Sequence, residues 1–98
     1  MENDIKKLEI VTDYAYLNRL IKLFDSNKVT GYTIFKDVMG RGKRGNKDGH
    51  GISGGFKNCY IFIFVEMDEA KRIAELIKPV LVKYGGFAAV SDAHWVVH

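Results

Sequence analysis

Residues 40–55 read GRGKRGNKDGHGISGG. They hold seven of the chain's ten glycines and four of its Lys and Arg residues. Glycine leaves backbone N–H groups free to converge on an anion, and Arg41, Lys43, Arg44 and Lys47 supply matching charge. Such chemistry suits phosphate or another small oxyanion. The stretch lies between two apolar, strand-like runs, YTIFKDVM and CYIFIFV. A hairpin turns in about two to five residues, so connection alone does not explain this length. The pattern predicts a mobile anion-sensing loop over about residues 40–57; a solvated hairpin tip is the plainer alternative.

The charge distribution supports a local site. From Arg41 to Lys57 five cations face only Asp48, so this segment carries +4 within a chain of net charge +3. The remainder is close to neutral, which argues against a uniformly basic nucleic-acid coat. Length and composition bound the rest. Ninety-eight residues, 47% hydrophobic, suffice for one small domain over residues 1–98. No apolar run approaches the roughly 20 residues that span a bilayer. The start MENDIKKLEI lacks an apolar signal core, and the single Cys59 cannot form an internal disulfide. A cytoplasmic protein is expected, with Cys59 as a small buried hydrophobe.

The elements that would position the loop follow from periodicity. Residues 6–12 read as a first strand, and Asp13 as the cap of a helix that recurs through Leu17, Leu20, Ile21 and Phe24. That helix should end near Ser26 and Asn27. Residues 32–39 form a second strand and 58–67 a third. Asp68 should cap a second helix with Ile73, Ile77, Val80, Leu81 and Tyr84 on one side. Pro79 should kink that helix or weaken its last section. Gly85 and Gly86 stop it, and residues 87–98 form a final strand. The order β-α-β-β-α-β predicts an α+β, ferredoxin-like domain: a four-stranded antiparallel sheet with both helices on one face. Yet the third strand is apolar on both faces, and Phe87, Val90, Trp95, Val96 and Val97 add mixed parity to the last. An open face of that kind predicts an oligomer interface.

Layout and wording together resemble the PII signalling proteins. Val38-Met39-Gly40-Arg41-Gly42-Lys43-Arg44-Gly45 matches the start of their T-loop, with Arg44 where the family carries Gln. Lys83-Tyr84-Gly85-Gly86-Phe87 corresponds to their B-loop, and the similarity covers essentially the whole chain. The tail FKNCYIFIFV…KPVLVKYGGFAAVSDAHWVVH looks more like the PII-like branch linked to carboxysomes and inorganic-carbon uptake. The resemblance implies a homotrimer with adenine nucleotide in clefts between subunits. It places nucleotide contacts at Gly40, Arg41, Gly42, Lys43, Arg44, Tyr84, Gly85 and Gly86, with Asp37 and Lys83 as further candidates, Lys83 being equally a solvated lysine at a helix C-terminus. Gly42, Lys43 and Arg44 are also the candidates for holding bicarbonate. Gly85 and Gly86 would offer bare N–H groups, and Asp37 would meet a ribose hydroxyl or simply end its strand. The loop would engage a membrane transporter at its cytoplasmic face.

Three departures shape that expectation. No tyrosine lies between Arg41 and Lys57, so the uridylylation site of the nitrogen-regulating members is missing. The B-loop is short, and no arginines follow His98 to meet a distal phosphate. ADP or AMP is therefore expected, with little gain from ATP. The nitrogen-regulating type of PII protein stays as an alternative.

An RNA-recognition motif shares the same strand order, and an RNA-binding module stays as a further alternative. Its first strand should supply a stacking aromatic, however, and Leu8-Glu9-Ile10-Val11 has none. No metal site is expected: His94 and His98 would sit about 13 Å apart on one strand, and His50 lies in the loop. No catalytic pair is suggested either, since Asp13, Glu66 and Asp92 read as a cap, a strand end and a late-strand acid. The protein reads as a sensor and not an enzyme. Ser53 is the loop's only hydroxyl side chain and so its one candidate phosphorylation site.

Overall fold

The computed structural model describes residues 2–40 and 57–98. Four strands, β1 (Glu2–Asp13), β2 (Tyr32–Met39), β3 (Lys57–Val65) and β4 (Phe87–Trp95), form one antiparallel sheet in the order β2-β3-β1-β4. Helices α1 (Leu17–Ser26) and α2 (Met67–Tyr84) are joined to it by the β1–α1 and β3–α2 connections. This is the expected ferredoxin-like arrangement.

Alternation places the core. Leu8 and Ile10 on β1, and Cys59, Ile61 and Ile63 on β3, share one face and are buried. They meet Leu17, Leu20 and Phe24 of α1 and Ile73 and Ile77 of α2. Each fully buried side chain of this size contributes about 1.5–3 kcal/mol. Cys59 is buried as expected, and burial pushes its thiol up from its ordinary pKa.

Several boundaries differ from expectation. Asp13 caps a 3-10 turn (Tyr14–Tyr16) that precedes α1, its carboxylate accepting from the Ala15 N–H at 2.8 Å. β3 stops at Val65, and Met67 already belongs to α2. Glu66 occupies the N-cap position of α2, so Asp68 is not the cap; it lies in the first turn with Glu69, where the helix dipole favours acids. α2 runs on through Pro79 as one element. A proline ring removes one i→i−4 bond, and the end beyond it is held by the Gly85 N–H donating to the Leu81 carbonyl at 2.8 Å. β4 ends at Trp95, short of His98. The His98 ring stacks on Trp95 with centroids 4.4 Å apart, so the two histidines do not share a strand.

The exit from α1 is tightly built. Lys28 sits at φ 59, a left-handed conformation that costs a non-glycine residue about 1–2 kcal/mol. The Val29 N–H returns to the Phe24 carbonyl at 2.9 Å, and both side chains are buried in the core. Arg72 fastens this corner to α2. It donates to both Glu69 oxygens, at 2.8 and 2.7 Å, and to the Asn27 carbonyl at 3.0 Å. Because Lys28 is exposed and its strain is local, Lys28→Gly should stabilise the fold by about 0.5–1 kcal/mol. Denaturant unfolding of the two proteins measures this; equal midpoints would contradict it.

Candidate functional site

Strand direction brings the chemistry-bearing segments to one end of the sheet. Met39 pairs with Lys57, Asp13 with Asn58, and Val11 with Phe87. The end of β2, the start of β3, the turn before α1 and the α2–β4 corner therefore lie at the same end. The Asn58 amide donates to the Gly40 carbonyl at 3.2 Å, tying together the two strands from which residues 41–56 depart.

The α2–β4 corner is fixed against β1. Thr12 is buried, on the same parity as Leu8 and Ile10, and its hydroxyl donates to the Gly85 carbonyl at 2.9 Å. Gly85 and Gly86 have φ of 95° and 115°, conformations that suit glycine. A Cβ on Gly86 would stand 2.5 Å from the Val11 carbonyl oxygen and 2.9 Å from Thr12 Cβ and Oγ1. The Gly85 N–H is not bare as expected, because it caps α2. The helix end needs that donor for its own carbonyl.

Tyr84 opens this corner and is itself braced. Its ring stacks on Tyr16 with centroids 4.4 Å apart, and Arg19 Cζ and Lys83 Nζ lie 4.9 and 5.3 Å from its centroid. An open hollow of about 460 Å³ lies alongside, lined by Ala15, Tyr16, Arg19 and Lys22.

Of the residues proposed from sequence, Lys83, Tyr84, Gly85 and Gly86 are brought together. Gly40 lies at the same end, but β2 and β4 are opposite edges of the sheet, about 14 Å apart at ordinary strand spacing. Asp37 is exposed on β2, where one extra residue between Phe35 and Val38 bulges the pairing with β3. Arg41, Gly42, Lys43, Arg44, His50 and Ser53 fall outside the described residues, as does most of the 40–57 loop. Sequence reasoning missed Thr12, Tyr16, Arg19 and Asn58. Thr12 did leave a signal, as a polar residue on the buried parity of a strand. Among the described residues no cluster of His, Cys, Asp or Glu could hold a metal ion.

The opposite face of the sheet is aromatic. Phe35, Tyr60, Phe62, Phe64 and Trp95 form a continuous row, with successive centroids 5.6–5.9 Å apart. A small polar group crosses this row. The Tyr60 hydroxyl donates to Glu9 Oε2 at 2.6 Å, Lys7 Nζ lies 3.5 Å from the same oxygen, and Lys7 stands 5.3 Å from the Phe62 centroid. The Tyr60 hydrogen bond is the main cause that holds the Glu9 carboxyl below its ordinary pKa.

Comparison with known proteins places the chain. The profile of the family described as nitrogen regulatory protein P-II matches residues 5–97, and the chain belongs to that family. None of the curated proteins matches it. Among solved structures it is similar to CPII, a nitrogen regulatory PII-like protein from Thiomonas intermedia K12 bound to ADP, AMP and bicarbonate. That match has 27% identity and a TM-score of 0.72, covering 93% of this chain and 87% of CPII. It is also similar to GlnK of B. subtilis in complex with ATP, at 25% identity and TM-score 0.67, covering 95% of this chain and 84% of GlnK. A PII-like signaling protein from Thermus thermophilus shares the fold at 22% identity and TM-score 0.66, over 92% and 87% of the two chains. The family is one of regulators. Among the described residues no helix is long and apolar enough to cross a membrane.

Two outcomes follow from this geometry. Gly86→Ala should destabilise the protein by about 2 kcal/mol or more, because the clash is with backbone and a β-branched stem, neither of which can swing aside. A thermal midpoint within a degree of the parent would contradict the close packing. For Glu9, a lowered carboxyl pKa stabilises the fold above the unfolded value, and that contribution is lost as pH falls through the folded one. Tyr60→Phe should thus bring the Glu9 carboxyl back up, and its stability deficit at neutral pH should shrink in acid. Unfolding at the two pH values measures it; a pH-independent deficit would point to packing alone.

Proposed function

We propose that this chain is an adenine-nucleotide sensor of the PII-like type, taking ADP or AMP, with bicarbonate as the candidate second ligand. The observation that carries the reading is the match to CPII with those three ligands, spread over nearly the whole chain. The local chemistry supports it. Gly40, Gly42, Lys43 and Arg44 lie where the loop leaves β2, and Lys83 to Gly86 form a corner fixed by Thr12. Gly40 and the Gly85–Gly86 corner stand toward opposite edges of one sheet, which suits a cleft completed by joining one chain's loop base to a neighbour's corner. The aromatic face supports a homotrimer, since a monomer would leave that row in water. Phosphate oxygens then meet glycine N–H groups and the Lys43 and Arg44 side chains.

The output is regulation of a membrane transporter for inorganic carbon, reached through the 40–57 loop at the cytoplasmic side. Ligand acts by favouring one loop arrangement over another, which requires different affinity for the two. No chemical step is needed, and no enzyme activity is assigned. The match to GlnK with ATP favours a second reading, a nitrogen-regulating PII protein with ATP as its nucleotide.

Light scattering together with calorimetry tests the proposal. The mass should be three times 11.1 kDa, and ADP or AMP should bind with micromolar affinity. Arg44→Ala should weaken binding about ten- to hundredfold, the effect of losing one charge-assisted phosphate contact. ATP should gain little over ADP, and bicarbonate should alter nucleotide affinity. A monomer, or silence from all three nucleotides, would overturn the reading; a large preference for ATP would favour the nitrogen-regulating alternative.

A further inference from the structure

Charge is unevenly distributed along the strand direction. The half bearing Gly40 and Gly85 carries Arg19, Lys22, Lys36, Lys57, Lys78 and Lys83, against Asp13 and Asp37. The opposite half is acidic on balance: Glu66, Asp68 and Glu69 surround the start of α2, with Glu2, Asp4, Asp25, Glu75 and Asp92 also on that side, against Lys6, Lys7, Lys28, Lys71 and Arg72. There Lys6 and Arg72 are engaged by Asp92 and Glu69. On the loop-bearing half, none of the six cations has a carboxylate partner among the described residues.

The neighbours of these cations suit an interface between water and lipid. Lys57 Nζ lies 5.8 Å from the Tyr14 ring centroid, and Arg19 and Lys83 flank the Tyr84 ring stacked on Tyr16. Tyrosine presents an apolar body and a polar tip. At the same end Met39 and Val82 are 84% and 79% exposed.

We propose that this end of the molecule is a contact surface for an anionic phospholipid bilayer. Headgroup phosphates meet Arg19, Lys22 and Lys57, and the Tyr14 ring with Met39 and Val82 reaches headgroup level. An acidic protein segment is the competing partner. The cations favour lipid because they are spread across strands and both helices, and the hollow beside Arg19 and Lys22 is open, not a fitted socket. In a cyclic oligomer the component of this asymmetry along the symmetry axis adds from copy to copy. The inference deepens the membrane engagement proposed above, but vesicles free of any transporter test it separately.

The full chain should co-sediment with phosphatidylcholine–phosphatidylglycerol vesicles and not with phosphatidylcholine alone, and the bound fraction should fall as salt rises. Arg19→Glu and Lys22→Glu should each weaken vesicle binding about tenfold. Lys71→Glu changes net charge equally but lies near the start of α2, and it should leave binding nearly unchanged. Circular dichroism checks folding, and Lys22→Glu carries the test where Arg19→Glu does not fold. Failure of the folded protein to bind anionic vesicles, or an equal loss from Lys71→Glu, overturns the proposal. Tighter capture by polyglutamate than by vesicles overturns it in favour of an acidic protein partner. Protein that binds nucleotide but no vesicle refutes this inference alone.

Discussion

The backbone at Gly86 lies so close to Val11 and Thr12 that no side chain fits between them. That approach decides where α2 must stop and where β4 must begin, because Phe87 pairs with Val11 in the next position. Thr12 explains why the approach is stable. Its hydroxyl is buried on the core side of β1, and left unpaired it would cost about 1–3 kcal/mol. The Gly85 carbonyl satisfies it. Core packing and corner geometry are therefore one constraint, and a loop-like sequence, Tyr-Gly-Gly-Phe, becomes a rigid platform.

The sheet sets a second condition. Helices cover only the face that bears Leu8, Ile10, Ile61 and Ile63, while the other carries a row of rings. The Lys7–Glu9–Tyr60 group crossing that row is neutral overall and bonded within itself. A charge placed on such a face without partners would resist burial; a satisfied group resists it far less. The aromatic row and this paired polar group thus both suit a face that a second copy covers, which is how the proposed trimer uses it. An RNA platform also wants rings on this face, but it wants them beside free cations, and Lys7 is occupied.

Much of this was legible from sequence. Strand order followed from periodicity, β2 was placed to the residue, and the two-faced character of β3 was plain from CYIFIFV. Errors fell where local chemistry is ambiguous. Glu66, Met67 and Asp68 all suit a strand-to-helix junction, and only the hydrogen bond from the Ala70 N–H to the Glu66 carbonyl decides among them. The tail after Trp95 is apolar enough to extend a strand, yet among the described residues the pairing with β1 ends at Glu2 and Trp95. At the site, glycines and cations were visible as types, but their companions were not. Tyr16 and Arg19 matter because α1 runs antiparallel beside α2, a tertiary fact that helical spacing alone does not contain. Thr12 is readable in principle, as a polar residue on the parity of Leu8 and Ile10 at the end of the first strand.

Under the proposed function, the arrangement also gives a reason why a single chain would make an incomplete site. An adenine nucleotide needs phosphate donors and a wall for its base within one small volume. Here the base of the loop and the Gly85–Gly86 corner stand at the same end of the sheet but on opposite edges, with β3 and β1 between them. In the proposed trimer a neighbouring chain would bring a loop base against this corner. Binding energy at such a junction is available only to the assembled protein. Under the proposed function it also bears on the loop, since glycine loses more conformational freedom on ordering than other residues do. A ligand that contacts both chains can then offset that cost, while one that contacts only the corner cannot. In the proposed function sensing is thus a property of the seam between copies, with the corner fixed by Thr12 as its rigid side.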